Sequence, residues 1–216
     1  FELDAAIVDT SIAPDPVDPD GDAALVLPIL DDFVADFAGM GKGQLRDDAS
    51  VETTSDGSSV QLDGEKDFVK VGQLAEFSNT DQLSFSVSWS KNSIGSEQQR
   101  LAGNWENIGA YVEGDSLKIR VGQEGKSYSD GETISIDDLG IDDTDLHQVM
   151  VIVDAATDHL QVVVDGELVL DQQQDLDFSF ADGVDNSWNL GGGNKQGSLD
   201  GEIHDFRIEA DAEFVA

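Results

Sequence analysis

The chain has 216 residues, 39% of them hydrophobic, with 46 acidic against 11 basic side chains and a formal charge of −35. That balance argues against nucleic acid and against an anionic membrane surface, since both need a basic face, and it suits a salty or calcium-rich setting where counterions screen repulsion. The absence of cysteine excludes a disulfide scaffold or thiolate metal site, and no apolar run approaches the ~18–20 residues that cross a bilayer.

In chain order, residues 1–30 come first and differ from the rest. "TSIAPDPVDPDGDA" at 10–23 carries three of the four prolines among aspartates. Proline and like charges both oppose collapse, so residues 1–30 read as an acidic, Pro-containing linker from a preceding module. The chain starts at Phe1 and reads as a piece of a longer protein. Asp18, Asp20 and Asp22 do not make an EF-hand loop, because the glycine is misplaced and Ile29 stands where the closing Glu belongs. "ALVLPILDDFVADFAG" at 24–39 is apolar, broken by Pro28, and reads as the entry into a folded domain at 31–216.

From residue 45 the pattern is strands and turns. "SSVQLDGEKDFVKVG" predicts two strands around an Asp-Gly turn. "LSFSVSWSK" alternates, with Leu83, Phe85, Val87 and Trp89 on one face and serines on the other. "NIGAYVEGDSLKIRVG" predicts a hairpin bending at Gly114-Asp115, and "HQVMVIVDAATDHLQVVVDGELVLD" two more, at 155–158 and 165–166. No helix of ten residues is convincing in this region. Short strands spaced by turns predict an all-β, two-sheet antiparallel sandwich.

Three stretches in order carry a family resemblance: "VQLDGEKDFVKV" followed by "LSFSVSW", then "HQVMVIVDAATDHLQVVVDGELV", then "WNLGGGNKQGSLDGEIHDFRI". Over residues 33–208 the chain resembles the laminin-G-like branch of the concanavalin A-like jelly rolls. The resemblance implies two curved antiparallel sheets, carbohydrate or protein binding, and a structural calcium, with no universal ligand and no catalytic role. Such folds pair the closing strand with the first ones. Asp205 would then supply a carboxylate to calcium, the Asp63-Gly64 turn a carbonyl or carboxylate, and Asp36 an oxygen from the entry strand. The competing reading pairs Asp205 with Arg207 or a lysine, or leaves it facing water.

Candidate ligand contacts cluster mid-chain. Trp89 and Trp188 read as core, on their alternation with Phe85, Val87 and Leu190. Trp105 sits in the polar bend "GNWENIG", where it either caps the core or stacks on a sugar ring, with Asn104 and Asn107 as donors alongside. Residues 91–126 hold Lys91, Arg100, Lys118, Arg120 and Lys126 against five acids, a neutral window in a chain of −35. Lys118 and Arg120 alternate with Leu117, Ile119 and Val121 and point together off the core. Two cations there either relieve acid crowding or line a groove for hydroxyl-rich or acidic polysaccharide.

The leading expectation is therefore a non-catalytic, calcium-stabilised polysaccharide-binding module of a secreted, modular bacterial protein. A structural or adhesive spacer is the second reading. A polysaccharide-degrading enzyme is the third, resting on the alternating acids Glu209, Asp211 and Glu213. Those acids follow the closing strand in an Ala-rich stretch, and the three histidines lie beside no nucleophile motif.

Overall fold

A computed structural model of the chain describes residues 24–26, 29–30, 33–34, 43–54, 57–73, 80–94, 96–104, 108–121, 132–173, 176, 187–193 and 197–210. The strands, in chain order, are β1 (Ala24–Val26), β2 (Ile29–Leu30), β3 (Phe33–Val34), β4 (Gln44–Arg46), β5 (Ser50–Thr54) and β6 (Gly57–Asp63). They continue with β7 (Phe68–Gln73), β8 (Gln82–Lys91), β9 (Gln99–Asn104), β10 (Ile108–Glu113), β11 (Ser116–Val121) and β12 (Glu132–Ile136). The last are β13 (His147–Asp154), β14 (His159–Val164), β15 (Glu167–Gln173), β16 (Ser187–Leu190) and β17 (Asp200–Ala210). Among the described residues there is no helix, and the all-β sandwich expected from the alternation is what forms.

The first sheet runs β15-β14-β13-β8-β17-β6-β5, with β1 also on β17. The second runs β12-β11-β10-β9-β16-β7-β4, and β2 and β3 form a small ribbon. The closing strands lie between early ones: β17 between β8 and β6, β16 between β9 and β7. Pairing of Ala24 with Glu209 brings the chain into register with the first sheet at a position inside the stretch that reads as linker.

The two inner faces supply the core. From β8 come Leu83, Phe85, Val87 and Trp89, and from β11 Leu117, Ile119 and Val121. Trp188 projects from the second sheet and meets Phe85 edge-on at 5.0 Å and Phe206 at 5.7 Å. Burying side chains of this size stabilises by about 1.5–3 kcal/mol each. Gly201 is required where β17 presses on β8, since a Cβ there would stand 2.1 Å from the Ser90 carbonyl oxygen.

The closing strand departs from simple alternation. A register shift lies between Ile203 and Asp205, leaving His204 as the additional residue of a bulge. Ile203, Phe206 and Ile208 therefore all enter the core. Asp205 and Arg207 fall on the outer face, opposite Ser88 and Ser86.

Candidate functional site

The outer face of the second sheet gathers five of the chain's eleven cations, Arg46, Lys70, Arg100, Lys118 and Arg120. Paired residues of antiparallel strands share a face, so the registers define two rows across the strands. One runs Ser135, Lys118, Tyr111, Arg100 over β12, β11, β10 and β9. The other runs Thr133, Arg120, Gly109, Gly103, Asn189, Lys70, Gln44, ending on β4. Arg46 stands two residues along β4 from Gln44 and binds its Oε1 through Nη2 at 2.6 Å.

The rows form because the core takes the alternate positions. Ile108, Ala110 and Val112 turn inward on β10, which leaves Gly109 and Tyr111 outward. A register shift between Ala110 and Tyr111 skips Leu101 and sets Arg100 beside Tyr111. Tyr111 then lies between two guanidiniums, with the Arg100 carbon 5.8 Å and the Arg120 carbon 5.5 Å from its ring centre. Cation–π attraction holds both against one ring.

Two buried glycines, Gly103 and Gly109, lie between the cations, and the Arg100 guanidinium covers the first. At Gly103 a Cβ would stand 2.6 Å from the Ile108 carbonyl oxygen and 2.8 Å from Arg100 Nη2. No side chain fits there, and Arg100 Nη2 donates to the Asn104 carbonyl at 3.0 Å. Lys118 donates to Glu113. At the rim Asp137 accepts from Ser116 Oγ at 2.6 Å and Ser135 Oγ at 3.0 Å. These hydroxyls, and secondarily Lys118, hold its carboxyl below the ordinary aspartate range.

The residues singled out by sequence divide three ways. Lys118 and Arg120 lie off the core on one face. Arg100 shares that face but is fully buried at its centre, so it supports the rows from beneath rather than meeting a ligand directly. Asn104 is also fully buried, in register with Trp188 on the inward side, and its Oδ1 accepts from Ile108 N at 3.0 Å. It braces the β9–β10 hairpin rather than facing the two rows. Trp105, Asn107 and Lys126 lie outside the described residues. Tyr111, Lys70, Asn189 and the glycines were not singled out. Outward alternation in "IGAYVE" and "FVKV" signals Tyr111 and Lys70, but only the fold puts residues 70, 100, 111, 120 and 189 side by side.

The calcium ligands expected from the resemblance do not fit one ion. Asp63 pairs with Asp200. Asp205 lies five residues farther along β17, about 16 Å at strand spacing, whereas calcium ligands stand within ~2.6 Å of the ion. The Asp63 carboxylate accepts from Glu65 N at 2.7 Å, and Gly64 takes a positive φ of 81° in that turn. Asp205 Oδ2 accepts from Arg207 Nε at 3.0 Å. Burial raises the Asp205 pKa, against the lowering pull of Arg207. Asp36 lies outside the described residues, and among those described no group of three or more His, Asp or Glu side chains is placed to hold a metal.

Nor do the polar contacts on the first sheet assemble a nucleophile relay. His204 Nε2 lies 3.1 Å from Ser90 Oγ and 3.6 Å from Glu202 Oε2. Serine and acid approach the same nitrogen, whereas a relay orients the ring through the other one. Burial lowers the His204 pKa despite Glu202. Glu209 pairs with Ser84 on the outer face of the first sheet. Asp211 and Glu213 lie outside the described residues.

No family model and no curated protein matches the sequence. Solved structures do match in fold. The binding domain of botulinum neurotoxin serotype D/C aligns at TM-score 0.66 and 13% identity, over 88% of this chain and 49% of that one. A structure of botulinum neurotoxin type C, a toxin whose cell entry depends on interaction with two ganglioside molecules, aligns at 0.66 and 14%, over 88% and 48%. The neurotoxin DC binding domain in complex with rat synaptotagmin II aligns at 0.65 and 13%, over 88% and 48%. The chain thus spans about half the length of these structures. At such identity the likeness shows the fold: a β-sandwich of the kind found in neurotoxin receptor-binding domains.

Proposed function

We propose that this chain is a non-catalytic polysaccharide-binding module that receives a glycan on the outer face of the second sheet. One observation carries the reading: in a chain of −35, Lys70, Lys118 and Arg120 converge on one face around the buried guanidinium of Arg100. Along the face Lys70, Lys118, Arg120 and Asn189, each half-buried, offer donors, backed by Arg100 and Tyr111 packed beneath. From Arg120 to Lys70 the row crosses four inter-strand spacings, about 19 Å, which suits a linear polymer lying across the strands. Ganglioside dependence belongs to the type C neurotoxin, not to this chain; the shared sandwich supports a binding role here.

Glycan-array screening followed by calorimetry on the best ligand tests this. Arg120→Ala and Lys70→Ala should each weaken binding about tenfold or more, the worth of one hydrogen bond to a charged group. A wild-type chain that binds no glycan would leave the structural-spacer reading in its place.

A further inference from the structure

The two outer faces of the sandwich carry opposite charge. On the first sheet β17 presents Asp200, Glu202, Asp205 and Glu209 outward, flanked by Glu52 on β5 and Asp171 on β15, with Arg207 as the cation among them. On the second sheet the outward strand positions described carry Arg46, Lys70, Arg100, Lys118 and Arg120 against one carboxylate, Glu113, which Lys118 already binds. These cations stand at the two ends of the longer row. Arg120 marks one end, with Lys118 about 7 Å away along the same strand. Lys70 marks the other, with Arg46 on the next strand. Between the ends lie Gly109, Gly103 and Asn189, none of them charged. Lys70, Lys118 and Arg120 are half-buried and Arg46 is exposed, so their charges reach solvent, while Arg100 adds its charge from beneath.

We propose that the glycan is a polyanion, a uronate-containing or sulfated polymer, that lies across the second sheet with one acidic group at the Arg120–Lys118 end and another at the Lys70–Arg46 end. The inference rests on the polysaccharide reading of this face and names its ligand class. A neutral glycan needs hydrogen-bond partners but gains nothing from net positive charge. In a chain of −35, a face held in cationic excess favours an anion, and the acidic opposite face repels the same polymer, which fixes the side it takes. The two ends act together. An acidic group seated at one end holds the next within reach of the other, so a chain long enough to span the ~19 Å between them binds more tightly than a fragment that reaches only one. A second copy of this chain also offers an acidic face, but docking it sets one charge of −35 against another, whereas a narrow polymer touches the cationic face alone.

Charge reversal is the decisive test. Calorimetry on the full 216-residue chain would use a uronic acid homopolymer, its disaccharide, a sulfated polysaccharide and an uncharged glucan. The variants are Lys70→Glu and Arg120→Glu, one at each end of the row, and Ser50→Glu, which adds the same charge at an exposed position on the first sheet. The expected result is binding of at least one acidic polymer, at least about tenfold tighter than the glucan or the disaccharide, and weakened at least about tenfold by each reversal on the row but unchanged by Ser50→Glu. The polymer bound tells carboxylate from sulfate. If Arg120→Glu fails to fold, Lys70→Glu decides. Polyanion binding that survives reversal, or that Ser50→Glu weakens equally, overturns the assignment to this face. A disaccharide bound as tightly as the polymer overturns the two-ended seat. A glucan bound as tightly as the acidic polymers overturns the ligand class yet leaves the module reading intact. Self-association without polymer, abolished by Lys70→Glu, gives the face to a second copy and overturns the proposal; no glycan bound at all overturns both it and the module reading.

Discussion

Replacing His147 by glutamine should destabilise the fold by about 2 kcal/mol at low pH, and by distinctly less once the ring is neutral. The ring donates from Nδ1 to Asp165 Oδ2 at 2.8 Å and from Nε2 to Asp143 Oδ1 at 2.9 Å, and it tilts against Trp89 with centroids 5.7 Å apart. The residue is 7% exposed. Burial alone would push its pKa down, but the hydrogen bonds and charges of Asp165 and Asp143 outweigh that and raise it above 6.5. A group raised on folding contributes its full stability below the unfolded pKa of ~6.5 and loses it as pH climbs through the folded value.

The magnitude comes from counting what glutamine cannot replace. The charge-assisted bond to Asp165 contributes about 1.5 kcal/mol, taken low because that carboxylate is half-exposed. The aromatic contact with Trp89 adds about 0.5 kcal/mol. The bond to Asp143, open to solvent, is not counted. For a chain of this length, 2 kcal/mol corresponds to about 4–8 °C in Tm. Thermal unfolding followed by circular dichroism at pH 5.5 and 9 would show wild type well above H147Q at the lower pH and the gap narrowed to the aromatic share of about 0.5 kcal/mol at the higher. Proton NMR titration of the ring adds an independent check. Parallel stability profiles, or a ring that titrates below 6.5, would refute the reasoning.

The ammonium of Lys91 is buried against Asp142 at 2.8 Å, with 3% of the lysine side chain exposed and 31% of the aspartate. Asp142→Ala should cost about 3 kcal/mol by stranding a buried cation, and Lys91→Met distinctly less, as measured by chemical denaturation; equal costs would contradict the burial argument. With a charge of −35, the unfolding midpoint should rise steadily from 0.01 to 1 M NaCl as the Debye length falls from about 30 to about 3 Å; a midpoint indifferent to salt would show that self-repulsion is already offset. Because Asp205 is paired with Arg207 and far from Asp63, any rise of the midpoint caused by calcium should survive Asp205→Ala undiminished, and its disappearance would restore Asp205 as a ligand.

Much of the architecture was legible before folding. Period-two alternation in "LSFSVSWSK" and "SLKIRV" reports which side chains leave water, because a strand presents successive residues to opposite faces. The Asp-Gly and Gly-Asp turns mark hairpins for an equally local reason, the backbone conformations those residues tolerate. Burial of Trp89 and Trp188 and the outward direction of Lys118 and Arg120 followed from the same alternation. What remained hidden depends on partners far along the chain. The bulge at His204 changes the facing of everything after it, so that Ile203 and Phe206 share the core though three residues apart, and Asp205 goes out to meet Arg207. An extra residue in a strand becomes visible only against the strand it fails to pair with. The row from Arg120 to Lys70 likewise arises because β16 lies between β9 and β7. Away from the bulges, sequence by itself determined which way a side chain points; bulges and strand order, properties of the packed sheet alone, decided the rest and which residues stand together.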